Sequence, residues 1–471
     1  TATPFFGVAG SLATARFLHT STLLQNGDVL VAGGTVNGGG DIASSERYSA
    51  QTGTWSATGA LNTPRYLNTA TLLLSGDVLV TGGFNGGYAT DSAERYSPET
   101  GSWSVLPAPM VSQRVMHSAT LLGDGKVMLV GGAGTGGLLA TTERFDPKTN
   151  AFTAAASLAV PRIGHSATLL ADGRLLVAGG FDGANYVAAA QVYDPQSNKW
   201  SGAGTLGSAR RDHTATLLQS GRVLIAGGTN ANGVLASAEI YDPVANAFTP
   251  TGSLTIGRNY HTAVTLATGD VLIFGGESAN GPLADVQRYD PIAGTFSDAG
   301  TFNGARYYHT ATLLPSGRVL VSGGRDNNAN AIAGAVVYDF GLGAAFARRP
   351  VLLQLGNGAH VGLPFTLVGG GFTGDSEAAS SGTNSSASNY PLVNLRRVDG
   401  DGSYWLAPDH TAERSANRFV SRPLQPLPYG QYAVTMFVNG IASAACIVSI
   451  HDTVPADHLF RDGFDTDLNC N

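Results

Sequence analysis

Cysteine is nearly absent from this chain. Its only two cysteines, Cys446 and Cys470, both lie near the C-terminal end of the 471 residues. Two cysteines without others nearby cannot build a zinc finger or a dense disulfide scaffold. We favour a single disulfide between them, which would tie the tail to the last domain in an oxidising compartment. The alternative is one buried thiol and one free thiol.

Charged residues and long apolar runs are also scarce. Charged residues make up 13% of the chain, lysine occurs three times, and the net charge is −7. This composition lacks the basic surface of a nucleic-acid-binding protein. No apolar run reaches the ~18 residues that a membrane helix needs. The chain starts at Thr1 without Met, so we expect a mature form of a secreted or cell-surface protein whose signal peptide has been removed.

Glycine, in contrast, is abundant. The 63 glycines occur in a chain that is 43% hydrophobic, which is typical of short buried strands joined by tight turns. A pair of glycines that ends an apolar run recurs every 48 or 49 residues, which indicates an internal repeat. The seven pairs are Gly33-Gly34, Gly82-Gly83, Gly131-Gly132, Gly179-Gly180, Gly227-Gly228, Gly275-Gly276 and Gly323-Gly324.

Each copy of the repeat contains four runs of strand-forming residues. In the fifth copy these are residues 210–218, 223–226, 238–243 and the segment around Phe248. Four strands form one blade of a β-propeller, and a period near 50 residues is the Kelch value. Small residues fill the first run, and large aromatic rings occur in the third and fourth. We therefore expect the first run to line the centre, where blades converge, and the rings to lie further out.

The repeat resembles the Kelch family, and within it the propellers of the galactose-oxidase type. Residues 306–320, Arg-Tyr-Tyr-His-Thr-Ala-Thr-Leu-Leu-Pro-Ser-Gly-Arg-Val-Leu, carry the likeness most clearly. The resemblance implies an all-β chain: a seven-bladed Kelch β-propeller followed by a small immunoglobulin-like β-sandwich.

The spacing of one aromatic residue predicts how the ring closes. Phe6 lies ten residues before Arg16, the offset that the fourth-strand aromatics of other copies, such as Trp55 and Phe152, keep from the next Arg. Residues 3–9 are therefore predicted to be the fourth strand of the last blade. The predicted propeller spans residues 1–347, the sandwich 348–452 and a tail 453–471. The tail segment 459–464 resembles a motif of secreted bacterial proteins.

An Arg-x-x-His element opens each copy. Its Arg occurs in all seven copies, as Arg16, Arg65, Arg114, Arg162, Arg210, Arg258 and Arg306. Its His occurs in six, as His19, His117, His165, His213, His261 and His309, with Asn68 in the second copy. We interpret the His as a buried group that is hydrogen-bonded inside its own blade. Two interpretations of the Arg stay open. It either pairs with the third-strand acids Glu46, Glu94, Glu143 and Glu239, or it lies at one mouth of the channel, as the resemblance implies, and binds an acidic ligand.

The two residues between this Arg and His differ from copy to copy, which makes them candidates for function. They place Arg211, Asp212, Tyr260, Tyr307, Tyr308 and Tyr66 near one mouth of the channel. Aromatic faces mixed with polar groups suit a glycan or a peptide. The loops after the glycine pairs are expected on the same side and add Tyr88, Asp182, Tyr186, Glu277, Arg325 and Asp326.

A copper site is a further hypothesis. Tyr308 and His309 resemble the adjacent copper ligands of galactose-oxidase-type enzymes, and both side chains are reasonable copper ligands. A second His would come from His360 or His410. Those enzymes also need a Tyr cross-linked to a Cys within the propeller, and the propeller region has no Cys. We therefore expect no cofactor, with copper at this pair and calcium at residues 399–403 as minor alternatives.

Three functions are compatible with the sequence. The favoured one is an extracellular binding or interaction protein that takes a carbohydrate, an acidic small molecule or a protein at one mouth. The second is a carbohydrate-active enzyme: an oxidase, lyase or epimerase. The third is a structural component of a cell-surface or extracellular assembly. The sequence does not fix the oligomeric state.

Overall fold

The computed structural model describes residues 5–340, except 219, 267 and 315, and the backbone of eleven short strands beyond residue 340. The described residues form strands and turns. They contain no helix long and apolar enough to cross a membrane. The described residues do not include residue 346, His410 or most of the predicted calcium loop at 399–403. The side chain of His360 is not described either.

Seven antiparallel sheets of four strands make up the N-terminal part, one for each copy of the repeat. The strands of a blade are numbered 1 to 4 from the centre outwards. From blade one to blade seven, strand 1 is Thr20–Leu23, Thr69–Leu72, Ser118–Leu121, Ser166–Leu169, Thr214–Leu217, Thr262–Thr265 and Thr310–Leu313. Strand 2 is Val29–Ala32, Val78–Thr81, Val127–Val130, Leu175–Ala178, Val223–Ala226, Val271–Phe274 and Val319–Ser322.

The outer strands complete the blades. Strand 3 is Ser45–Ser49, Ala93–Ser97, Thr142–Asp146, Ala189–Asp194, Ala238–Asp242, Asp285–Asp290 and Gly334–Asp339. Strand 4 is Thr54–Thr58, Ser102–Val105, Ala151–Ala155, Lys199–Thr205, Ala247–Pro250, Thr295–Thr301 and, in blade seven, Phe5–Ser11. Blade seven thus takes its fourth strand from the N-terminal end, with Phe6 opposite Tyr338, as the spacing from Arg16 predicts.

The core lies between neighbouring blades. Strand 2 is fully buried in every blade, and each apolar cluster joins residues of two adjacent blades, such as Phe274 and Val321. Towards the rim, the aromatic residues of strands 3 and 4 pair within each blade. The rings of Tyr193 and Trp200, for example, are 5.1 Å apart. Large rings therefore fill the space where the blades diverge, as predicted.

The glycine pairs join each blade to the next. The N–H of the second glycine donates to the carbonyl of the next blade's Arg in all seven blades, and the bond from Gly324 to Arg16 closes the ring at 2.9 Å. Both glycines have a positive φ, which a residue without Cβ adopts most easily. A Cβ on Gly276 would lie 2.6 Å from the carbonyl oxygen of Asn259, so the close approach also requires glycine.

Four blades carry a short hairpin after the glycine pair. The hairpin strands are Phe84–Asn85 with Tyr88–Ala89, Ala133–Gly134 with Gly137–Leu138, Thr229–Asn230 with Gly233–Val234, and Glu277–Ser278 with Gly281–Pro282. In the other three blades single bridges close the same loop, as between Phe181 and Tyr186. The loop therefore has the same form throughout the ring.

The chain forms two compact units. The first comprises residues 1–122, 126–343 and 375–388, and the second comprises 123–125, 344–374 and 389–471. Within the first, the short strand Ala379–Ser380 pairs with strand 1 of blade five. The strands of the second unit are Val351–Leu355, Ala359–His360, Pro364–Gly370, Leu392–Arg397, Ser403–Leu406, Arg418–Pro423, Gly430–Val438, Ile441–Ala442, Cys446–His451 and Asn469–Cys470. They form a three-stranded sheet and a larger sheet, and the latter includes the strand from the tail.

Candidate ligand-binding site at the channel mouth

The repeated histidines are structural. All six are buried, and each Nε2 is hydrogen-bonded to a Thr or Ser hydroxyl in the preceding blade, such as Thr262 for His309 at 3.0 Å and Ser118 for His165 at 2.9 Å. They therefore join neighbouring blades rather than strands of one blade. Burial lowers the pKa of His165 and His309 to about 3, so both imidazoles are neutral at physiological pH.

The repeated arginines are also inside the protein. Arg16, Arg65, Arg114, Arg162, Arg210, Arg258 and Arg306 are at most 3% exposed. The Nη1 atom of each donates to the carbonyl of the first glycine of its own blade's pair. The predicted pairs with Glu46, Glu94, Glu143 and Glu239 are all formed, and Asp285 takes the same role for Arg258. None of these seven guanidinium groups is exposed. They therefore do not form a ligand-binding ring at the mouth of the channel.

The residue before each His, or before Asn68, has a left-handed backbone. These seven residues are Leu18, Leu67, Met116, Gly164, Asp212, Tyr260 and Tyr308, and their φ angles lie between 50° and 65°. In five of them the N–H donates to the carbonyl of the equivalent residue in the preceding blade, as from Asp212 to Gly164 at 2.9 Å. We call these seven residues the mouth belt, because they encircle the channel just before the innermost strands begin. The sequence analysis missed this conformation, although Gly164 was a signal for it.

The mouth belt is divided into an apolar part and a polar part. Blades one to four contribute Leu18, Leu67, Met116 and Gly164, whereas blades five to seven contribute Asp212, Tyr260 and Tyr308. The rings of Tyr260 and Tyr308 are 4.3 Å apart, and the ring of Tyr307 lies 4.9 Å from that of Tyr308. The structure thus brings together four of the predicted ligand-binding residues.

Electrostatic contacts link the members of this polar part. Tyr260 and Tyr308 interact with each other and with the Asp212 carboxylate. Asp212 is also ion-paired with Arg211, whose Nε lies 3.2 Å from the carboxylate. Burial raises the pKa of Tyr260 to about 12, with a further contribution from Asp212, and raises that of Tyr308 above its ordinary value. Both phenols therefore stay protonated at neutral pH.

The loops after the glycine pairs lie on the same face as the mouth belt. In every blade the residue after the pair bridges to the residue after the repeated Arg, as Glu277 does to Asn259 and Arg325 to Tyr307. Glu277 and Arg325 are therefore near the tyrosines, and burial raises the pKa of Glu277 while Arg325 opposes the rise. The Arg325 guanidinium lies 4.5 Å from the ring centre of Phe17.

The other predicted loop residues contribute less. Asp182 and Asp326 accept hydrogen bonds from backbone N–H groups of their own turns, so their carboxylates shape the loops. Tyr186 packs against Arg211, whose guanidinium lies 5.7 Å from its ring centre. Tyr88 is 73% exposed in a hairpin of blade two, on the apolar side of the belt.

We define the polar sector as Arg211, Asp212, Tyr260, Glu277, Tyr307, Tyr308 and Arg325. It combines three aromatic rings with two carboxylates and two guanidinium groups. It lies on blades five to seven at one mouth of the channel.

The described residues do not fit a copper ion. The Nε2 atom of His309 is already hydrogen-bonded to the Thr262 hydroxyl, and the ring of Tyr308 lies against those of Tyr260 and Tyr307. In the part of the chain that the structure describes, no three His, Cys, Asp or Glu side chains are grouped as metal ligands. His309 therefore joins blades six and seven.

Comparison with known families agrees with this architecture. The Kelch motif model matches residues 65–110 and 163–207, which lie in the second and fourth copies of the repeat. The N-terminal part of the chain is a seven-bladed Kelch β-propeller. This Kelch propeller is a fold typical of binding and interaction. The comparison with curated proteins finds no match.

Two solved structures illustrate the likeness. One is described as a novel fungal alcohol oxidase of the AA5 family in complex with copper; it is 17% identical, covers 95% of this chain and 100% of its own, and has a TM-score of 0.62. The other, YjhT, is also 17% identical, covers 61% of this chain and 98% of its own, and has a TM-score of 0.50. At this identity the likeness shows a shared galactose-oxidase-like fold alone.

Proposed function

We propose that this Kelch propeller is a non-catalytic, extracellular binding protein that holds a neutral carbohydrate in the polar sector. The observation that carries the proposal is the cluster of Tyr260, Tyr307 and Tyr308, in which the ring of Tyr308 lies 4.3 Å from that of Tyr260 and 4.9 Å from that of Tyr307, beside fixed polar groups. Aromatic faces pack against sugar rings, and a few convergent polar groups orient the ligand.

The charges of the sector favour a neutral ligand over an acidic one. Arg211 is ion-paired with Asp212, and Arg325 interacts with Glu277. The charges of the two guanidinium groups are balanced by those of the two carboxylates, so the sector has no net charge. Carboxylates and guanidinium groups held in this way accept from and donate to sugar hydroxyls.

The same contacts argue against catalysis by this sector. A general base works best when its pKa is near the operating pH. The pKa of Tyr260 is raised to about 12 and that of Tyr308 is raised as well, while Asp212 is tied to Arg211. These groups are suited to hold a ligand rather than to move its protons.

The chain offers a matched pair of variants for the test. Tyr307 and Tyr66 occupy the same position of the repeat, directly after the repeated Arg, and each bridges to the residue after its own blade's glycine pair. Only Tyr307 belongs to the polar sector. Binding of neutral and acidic oligosaccharides would be measured by calorimetry for the wild type, Tyr307→Ala and Tyr66→Ala.

We expect a neutral oligosaccharide to bind, Tyr307→Ala to weaken binding about fivefold, and Tyr66→Ala to leave it unchanged within about twofold, since one aromatic contact contributes about 1 kcal/mol. Thermal unfolding of both variants is the control for folding. The proposal fails if no oligosaccharide binds or if the two variants weaken binding equally. A preference for acidic oligosaccharides would contradict the argument from charge.

A further inference from the structure

Two repeated arginines, Arg162 and Arg306, lack the hydroxyl and the carboxylate on strand 3 that other blades provide. Nε of Arg306 still donates to the carbonyl of Gly304 at 3.3 Å, whereas Nε and Nη2 of Arg162 are both without a partner among the described residues. In blade two, Nη2 of Arg65 donates to Ser92 Oγ at 2.9 Å and to Glu94 Oε1 at 2.8 Å. In blade five, Nη2 of Arg210 makes the equivalent bonds to Ser237 at 3.0 Å and Glu239 at 2.8 Å. Two acceptors on strand 3, one hydroxyl and one carboxylate, thus satisfy this nitrogen.

Blade four has neither acceptor. Ala189 and Gln191 stand where blade two has Ser92 and Glu94, and the register is the same, because Nη1 of Arg162 still donates to the carbonyls of Gly179 and Ala189 at 3.0 and 3.1 Å. Among the described residues, neither Nε nor Nη2 of Arg162 has a hydrogen-bond partner. The Oε1 atom of Gln191 instead accepts from the N–H of Ala159 at 3.1 Å.

Arg162 is nevertheless deeply buried. Its exposure is 0%, and burial lowers its pKa to about 10, an effect that the half-buried Asp182 opposes only in part. The side chain is therefore charged at neutral pH. A buried charge without a counter-ion is costly, so the site favours an ion of opposite sign.

We propose that blade four binds a small monovalent anion, such as chloride or formate, at the Nε–Nη2 edge of Arg162. This edge presents two parallel N–H donors, the arrangement that binds a carboxylate in two places at once. Ala189 is exposed and has no hydroxyl, so no side-chain oxygen takes the position that a Ser Oγ has in other blades. The anion takes the place of the glutamate carboxylate of blades one, two, three and five.

The repeat suggests two opposite substitutions as a test. Gln191→Glu restores the carboxylate in blade four, and Glu239→Gln removes the equivalent carboxylate in blade five. Thermal unfolding of the wild type and both variants would be followed in chloride, in formate, and at the same ionic strength in the salt of an anion too large for the site. The large anion controls for general screening.

An anion that binds only the folded state raises the unfolding midpoint. We expect the wild-type midpoint to rise by about 2 °C in chloride or formate relative to the large anion. Gln191→Glu should raise the midpoint in the large anion and lose the response to chloride and formate. Glu239→Gln should lower the midpoint in the large anion and show a larger response than the wild type.

Bromide in crystals of the wild type gives a second, independent readout. We expect an anomalous peak beside Nε and Nη2 of Arg162, none there in Gln191→Glu, and none beside Arg210 in the wild type. The proposal is overturned if the wild type shows no anion response and no peak, or if Gln191→Glu responds to chloride and formate as the wild type does. Either result would mean that water alone satisfies Arg162.

Discussion

At the scale of single residues, the buried histidines make stability depend on pH. The pKa of His165 and His309 is lowered to about 3 in the folded protein by burial, while an unfolded histidine titrates near pH 6.5. Between these values the unfolded chain binds more protons than the folded one. Stability is therefore complete above about pH 6.5 and is lost as the pH falls towards 3, by about 1.4 kcal/mol per pH unit for each histidine.

The variant His309→Asn, which copies Asn68 of blade two, tests this linkage. The free energy of unfolding would be measured with urea at several pH values between 4 and 6.5 (roughly the range set by the two pKa values). We expect the variant to be less stable overall, because it loses the bond to Thr262. Its dependence on pH should be shallower than that of the wild type by about 1.4 kcal/mol per pH unit. An unchanged slope would show that His309 is not neutral when folded.

The sequence predicted the role of the repeated histidines but not the roles of the other site residues. A polar residue that recurs in every blade has to be satisfied in the interior, so the structural role of His309 and its equivalents followed from the repeat alone. The Arg alternatives could not be separated, because the pattern does not show whether Arg65 turns towards Glu94 or towards the channel. The interactions of Tyr308, Tyr260 and Asp212 with one another could not be predicted either, since these side chains come from three blades.

At the scale of structural elements, the glycine pairs hold neighbouring blades together. Gly276 has φ of +97°, and a Cβ there would lie 2.6 Å from the Asn259 carbonyl oxygen and 2.7 Å from the Cβ of His261. We expect Gly276→Ala to lower the free energy of unfolding by about 3 kcal/mol, through backbone strain and overpacking. Gly202→Ala is the control, because nothing lies within 4 Å of a Cβ at Gly202, and its effect should stay within about 0.5 kcal/mol. Equal effects of the two changes would contradict the requirement for glycine at this close approach within blade six.

The strand pairing of the second unit bears on the two cysteines. Cys446 lies directly opposite Cys470 in an antiparallel pair, and paired strands bring Cα atoms within the range that a disulfide needs. We expect the intact mass of the protein to increase by two hydrogens on reduction. Labelling of both thiols by iodoacetamide without a reductant would show instead that they are free.

The strands themselves were predictable, and the connections between them less so. Turn residues and β-branched runs such as Val223–Ala226 mark each strand of a blade. The hairpins after the glycine pairs were expected only as loops. Their two-residue strands, such as Glu277–Ser278, are too short for a periodic signal and are fixed by contacts with the residue after the repeated Arg.

At the scale of the whole molecule, the ring is closed by strand Phe5–Ser11, which completes blade seven. The ring of Phe6 packs 4.6 Å from Tyr338 and 5.9 Å from Phe302, so its loss exposes part of the apolar cluster between blades six and seven. We expect a chain without residues 1–11 to unfold at a lower temperature. A peptide of residues 1–12 should raise the midpoint again in proportion to the logarithm of its concentration.

The control for this closure is the same peptide with Phe6→Ala, which should restore much less stability because it lacks the aromatic contacts. A truncated chain that unfolds at the wild-type temperature would contradict the closure. The fold could be predicted in this detail because the same sequence pattern occurs seven times in the chain. The polar sector was less predictable because it depends on the differences between the copies.

The central claim is that the polar sector, rather than another surface of the propeller, holds the ligand. A crystal structure of the protein with the oligosaccharide that binds best would test it most directly. We predict a sugar ring against Tyr307 and Tyr308, with hydroxyl groups hydrogen-bonded to Asp212, Glu277 or Arg325. Sugar density on the opposite face of the propeller, or on the apolar side of the mouth belt, would contradict the account.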